Sequence, residues 1–174
     1  QSAAYGHCLD LILNINKKSN FEELAISVLN YLSTLELHAV IEIRDVEQKL
    51  YFQSNQLIPS ANEQKIFGLL NDKGRIYHFS KRCMFNGNDT SLLIKNMPSS
   101  GTLLYDVMVD VIAKLIPVID SKIKNLIQVH TLSNIHNYLA QFVSSISQEI
   151  TQNTILQNDL IKNIEAKINQ SFHI

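Results

Sequence analysis

Cys83 follows Arg82 directly, just ahead of the run Asn86-Gly87-Asn88-Asp89. A guanidinium beside a thiol lowers its pKa and makes it a better nucleophile. This pair is therefore the chain's candidate for cysteine chemistry. The only other cysteine, Cys8, is far away in sequence. An ordinary packed thiol is the simpler reading. Six histidines (His7, His38, His78, His130, His136 and His173) are the potential metal ligands. None is three or four residues from another, and no His-Glu-x-x-His run occurs, so no metal centre is expected. Asp106 and Asp110 fall one helical turn apart and read as a solvated face. The five glycines are too dispersed to cradle a phosphate. No Gly-x-Ser-x-Gly elbow or Ser-His-Asp order is present. The expectation is a chain without catalytic residues or cofactor, and not an enzyme.

Two families of elements must position these side chains. Tyr5 to Asn16 reads as a short helix with Leu9, Ile12 and Leu13 inward. Ser19-Asn20 offers an N-cap, and Glu22 and Glu23 favour the positive end of a helix over Phe21 to Leu35. The period then falls to two. His38 to Arg44 alternates Ala39, Ile41 and Ile43 against a wetter side of Val40, Glu42 and Arg44. Leu50 to Gln53 returns as a hairpin strand. Pro59-Ser60 precedes a helix carrying Ile66, Phe67, Leu69 and Leu70, with Gly74 suited to its left-handed cap. Arg75 to Ser80, Arg82 to Phe85 and Thr90 to Lys95 are three further strands, the last two joined by the Asn86–Asp89 turn. Short turns between neighbours imply an antiparallel sheet, with helices from both ends of the sequence on one face and the other face left for a pocket or a partner. The class expected is α+β.

From Thr102 onward the pattern is helical. Leu104, Val107, Met108, Val111, Ile112, Leu115 and Ile119 make a broad stripe, and Pro117 should kink it or mark a junction. A break is expected near His130–Ser133. Beyond it Leu132, Ile135, Leu139, Phe142, Ile146, Ile150, Leu160, Ile164 and Ile168 recur mostly at steps of three and four, with Asn153 and Gln157 in two polar slots. The steps of four after Phe142 are a stutter. A stripe this long needs a second helix, most simply its own copy in a coiled-coil homodimer; the alternative is a hairpin folded back on Thr102–Gln128. The organisation expected is an N-terminal helix over 1–20, an α/β core over 21–101, and closing and dimerisation helices over 102–174.

Composition narrows the partners. With 45% hydrophobic and 18% charged residues, the chain can build a core. A net charge of −1, with scattered Lys and Arg, argues against a nucleic-acid face. No apolar run is long enough for a membrane span. Two isolated thiols suit a reducing cytoplasm. The opening Gln1-Ser2-Ala3-Ala4 reads as an arbitrary start, as in a piece of a longer protein.

This order of elements resembles a GAF domain, the small-molecule sensory fold, and most nearly the GAF-like half of some bacterial two-component response regulators. The stretches that carry the resemblance are Phe21-Glu22-Glu23-Leu24-Ala25, His38 to Arg44, Gly74-Arg75-Ile76-Tyr77-His78-Phe79 and Thr90 to Pro98. It covers roughly residues 21–125. The Gly-Arg-Leu-Arg-Asp-like start of that family's closing helix is replaced here by Leu104-Tyr105-Asp106-Val107-Met108. The resemblance implies signal transduction, a possible receiver domain in the parent protein, and a pocket on the sheet face opposite the terminal helices. Tyr77 and Phe79 would line such a pocket, and Arg82 and Lys95 would orient an anionic ligand. Some members hold a bilin on a cysteine followed by histidine, but here Met84 follows Cys83. His136 is followed by Asn137, without the acid that follows a histidine kinase's phosphoacceptor.

The function expected is a cytoplasmic sensory and dimerisation module that passes a ligand or receiver state through helix packing. A purely structural oligomerisation module is the alternative, and a redox enzyme using Cys83 is third. The dimer seam expected is Leu132, Ile135, Leu139, Phe142, Ile146, Ile150, Leu160 and Ile164.

Overall fold

Local sequence signals set most element ends. Asn20 caps α2 (Phe21–Thr34): its side chain accepts from the Glu23 amide at 2.8 Å, and Glu23 reaches back to the Ser19 amide at 3.1 Å. Ser60 and Glu63 form a reciprocal capping box on α3 (Ala61–Leu70). The remaining elements are α1 (Ser2–Asn16), β1 (Ala39–Arg44), β2 (Lys49–Gln53), β3 (Ile76–Phe79), β4 (Arg82–Asn86), β5 (Thr90–Ile94) and α4 (Leu103–Ser171). The computed structural model describes residues 2–54 and 58–172, and leaves out the side chains of residues 2–6 and of Cys8. His173 also lies outside the described residues. The fold is α+β, with one antiparallel sheet in the order β2-β1-β5-β4-β3. By contact density the chain divides into a head, residues 1–129, and a tail, residues 130–174.

The alternation expected for β1 sorts the head into two cores. Ala39, Ile41 and Ile43, with Cys83, Phe85, Leu92 and Ile94, face α1, α2 and the Met108–Leu126 stretch of α4. Val40, Met84 and Leu93 point the other way and meet Phe67 of α3. That second face is therefore not left open. Phe67 is fully buried there, its ring 5.7 Å from that of Tyr51. Burying a phenylalanine contributes roughly 1.5–3 kcal/mol, enough to dock a short helix.

Several local expectations change. In α1 the buried side chains are Leu11 and Ile15, whereas Leu9 and Leu13 are exposed, because both sides of this helix carry leucines and only packing against α2 chooses between them. Gly74 has the expected positive φ of 104°, but α3 ends earlier at Asn71, so the glycine serves the following turn. Glu42, assigned to a wetter side, is fully buried. Residues 130–133 are helical, and Pro117 lies inside α4. Pro117 forgoes only one hydrogen bond, to the Ala113 carbonyl, and no glycine or further proline follows to stop the helix. One helix thus replaces the several closing helices expected. Among the described helices none is long and apolar enough to cross a membrane.

Candidate functional site

Strand register places the four ligand contacts expected from the sequence. Tyr77 pairs with Met84, Met84 with Leu93, and Leu93 with Val40, so Tyr77 shares the α3 face. Phe79 pairs with Arg82 on that same face. The Tyr77 and Phe79 rings lie 6.0 Å apart at the edge strand. Phe79 packs on the cluster around Phe67, while Tyr77 and Arg82 are exposed. Lys95 is bound in an ion pair with Glu63 of α3. The structure thus brings all four to one face, but α3 covers its centre and already engages Lys95.

The chemistry of that face lies instead in a polar network centred on Glu42. Its Oε1 accepts from Arg44 Nη1 at 2.6 Å and from Asn71 Nδ2 at 3.0 Å, and its Oε2 accepts from the Tyr51 hydroxyl at 2.9 Å. Burial, and secondly the bond to Glu42, push the Tyr51 hydroxyl up to about 12. Arg44 uses all five guanidinium donors. Beyond Glu42 they reach Ser91 Oγ at 2.9 Å and the carbonyls of Gly87 at 2.7 Å, Thr90 at 2.8 Å and Asn88 at 3.2 Å. Among the described residues no buried side-chain nitrogen or oxygen lacks a partner. A buried carboxylate is tolerated only under such full satisfaction.

The β4–β5 turn held by Arg44 is gripped again from α4. Asp120 accepts from the Asn88 amide at 2.7 Å and the Asp89 amide at 3.0 Å. Burial raises the Asp120 carboxyl above its ordinary pKa, against the opposing pull of these backbone bonds. Gly87 allows the close approach. A Cβ there would lie 2.7 Å from Ile116 Cγ2, and closer still to Asp120 Oδ2. The chain Tyr51–Glu42–Arg44–turn–Asp120 is thus an unbroken polar link from the α3 face of the sheet to α4. A cleft of about 680 Å³ opens over this clamp, with Arg75, Asn88, Asp120 and Lys124 in its walls. It is a wide, open groove whose walls combine side chains of both charges with the apolar Ile116 and Pro117.

Neither Glu42 nor Asp120 was singled out in the sequence. The signal for both was an acid inside an otherwise apolar pattern: Glu42 between Ile41 and Ile43, and Asp120 one residue after Ile119 in the buried stripe.

The cysteine reading fails on direction. Cys83 and Arg82 are neighbours in a strand, so their side chains take opposite faces. Cys83 is a free, fully buried thiol in the larger core, and desolvation pushes it up to about 11. At neutral pH it is a thiol, not a nucleophilic thiolate. Among the described residues, no three His, Cys, Asp or Glu side chains gather as a metal site would require.

The tail carries a different kind of site. The eight expected seam residues, Leu132 through Ile164, are each between 40% and 66% exposed. No described residue of 130–172 is buried. Its stripe of large aliphatic side chains is therefore bare in the single chain. No family model matches the sequence, and no curated protein or solved structure is significantly similar to it.

Proposed function

We propose that this chain is a non-enzymatic sensory and dimerisation module of a bacterial signal-transduction protein. It works in the cytoplasm as a homodimer joined through its tail helices in a coiled-coil bundle. The observation that carries this reading is the uncovered stripe of residues 132–168. Apolar surface of that extent is stable in water only when another surface covers it. The GAF-like order of elements supports the sensory part, as does the polar link from the sheet to Asp120. A receiver domain in the parent protein, or a small molecule, would bias the head between two packings of α4. A ligand can do so only by its difference in affinity for the two. The cleft over the Asp120 clamp is the favoured ligand position. Tyr77, Phe79, Arg82 and Lys95 are the second, since α3 occupies the centre of their face. Nucleic acid and membrane have no part in this reading.

The test combines mass and ligand response. Light scattering at micromolar concentration is expected to give a dimer. A melting screen that includes cyclic nucleotides is expected to find a stabilising solute, whose effect Asp120→Ala reduces. A dimer that no solute stabilises, with unchanged stability of the tail across head variants, supports the purely structural oligomerisation module. Phe67, which fills the centre of the second face, is the observation that favours this alternative.

A further inference from the structure

The bare stripe of the tail repeats at eleven residues. Ile135, Ile146, Gln157 and Ile168 form one column, and Leu139, Ile150, Ile161 and Phe172 form another. Phe142, Asn153 and Ile164 form the third. Two of the columns between them are polar throughout: His136, Ser147, Asn158 and Asn169, and Asn137, Gln148, Asp159 and Gln170. A seven-residue repeat fails after Ile146, because Ile135 and Phe142 would be followed at the same spacing by Glu149. The stutter is therefore part of a longer period. Eleven residues in three turns keep a stripe nearly straight or wind it slightly to the right, unlike a heptad seam.

Such a repeat has a weakness. Sliding one helix by eleven residues against its partner places Ile135 on Ile146 and Leu139 on Ile150, so aliphatic contacts alone do not reject the slip. The amides do. In register, Asn153 meets Asn153 and Gln157 meets Gln157, and each amide can donate to and accept from its twin. After the slip Asn153 lies against Phe142 or Ile164, and Gln157 against Ile146 or Ile168, with their hydrogen bonds unmade. Charges are too few to fix the register instead: besides histidine, residues 130–172 hold only five acidic or basic side chains, Glu149, Asp159, Lys162, Glu165 and Lys167. An antiparallel pair that keeps the amides matched would centre on residue 155. It would set Leu139 against Ser171, where the parallel pair sets Leu139 against Leu139.

We propose that the tail pairs with a second copy of this chain in parallel and in register, and that Asn153 and Gln157 are the lock that prevents an eleven-residue slip. This rests on the homodimer reading above and specifies the partner and its alignment. It follows the best-attested use of a buried polar residue in a helix pair, which is choice of register at the expense of stability.

The test uses the full chain with Cys8→Ser, so that buried Cys83 is the only native thiol. Ile150→Cys is expected to form a disulfide-linked dimer on mild oxidation, while a mixture of Leu139→Cys and Ile150→Cys chains gives the mixed disulfide only at background level. Adding Asn153→Ile and Gln157→Ile should bring the mixed disulfide up to the level of the in-register one and raise the thermal midpoint of pairing. Cross-linking only between Ile150→Cys and Leu160→Cys chains would show antiparallel pairing and overturn the proposal while leaving the homodimer intact. An unchanged disulfide pattern after the double isoleucine substitution would overturn the lock. A monomer by light scattering would overturn the homodimer reading as well, and is read separately from the disulfides.

Discussion

Two stretches of one helix carry the same pattern and meet different fates. In the head, Met108, Val111, Ile112, Leu115, Ile119 and Ile123 are buried against the sheet and α2. In the tail, Leu132, Ile135, Leu139, Phe142 and Ile146 recur at the same spacings and stay exposed. Helical periodicity records that a face must be covered, and says nothing of what covers it. In the head the answer lies in the same chain. In the tail no described residue of 130–172 is buried within the single chain, and a second copy of the tail is the cover we propose.

Charge placed in the stripe should separate the two stretches most sharply. Ile146→Asp with Ile150→Asp puts two carboxylates per chain into the seam and should convert the dimer wholly to monomer in sedimentation, while the head's near-UV signal and unfolding midpoint persist. The corresponding insult to the head is Arg44→Met, which leaves the buried Glu42 carboxylate with only the half-exposed Lys49 ammonium, 3.8 Å away, as counter-charge. It should lower the head's stability by about 3–5 kcal/mol in urea unfolding, with the tail's self-association retained at low denaturant. A smaller effect is expected at Gly87→Ala, where the added methyl meets Ile116 and Asp120. Overpacking of this kind costs roughly 1–3 kcal/mol. Adding Asp120→Ala removes the carboxylate's share of the clash and leaves that of Ile116, so the double variant should lose less than the sum of the single losses.

The smallest effects are electrostatic and have opposite signs. Lys95 holds the Glu63 carboxyl below its ordinary pKa, chiefly through their hydrogen bond. That stabilisation is complete above the unfolded value of 4.5 and is lost as pH falls through the lower folded value. Lys95→Met should remove it, with a loss of about 0.2–1 kcal/mol at neutral pH for a partly exposed pair. Asp120 titrates above its unfolded value of 3.8 because it is buried, so the native head binds the proton more tightly. Its contribution therefore weakens as pH rises from 3.8 through the folded value. Urea midpoints of Lys95→Met and of Asp120→Ala across pH 3–7, each compared with the parent chain, should diverge in these directions.

The same contrast explains what could be read in advance. Period-two alternation in Ala39–Arg44 and period-3.6 stripes in Phe21–Thr34 and Leu103–Leu126 gave the elements, because each is written in adjacent residues. Burial was not written there. Alternation sets Glu42 on the face opposite Ile41 and Ile43 without telling which face is wet, and α3, which covers it, lies about twenty residues further along. Arg82 and Cys83 adjoin in sequence, but strand neighbours cannot share a face, and the buried Cys83 fits the packed-thiol reading. The inward side of α1 was decided by α2, and no local signal in Leu9–Leu13 could settle it. Asp120 needed the Gly87 turn to be folded beside it before its role existed. The tail is the reverse case: its entire pattern is in the sequence, and a single chain supplies no surface to receive it.

Sedimentation equilibrium of the full chain at micromolar concentration, read together with hydrogen exchange across residues 130–172, bears on all of this at once. A particle of twice 19.8 kDa with slowed tail amides is expected. A 19.8 kDa particle whose tail amides exchange at the rate of free peptide would contradict it.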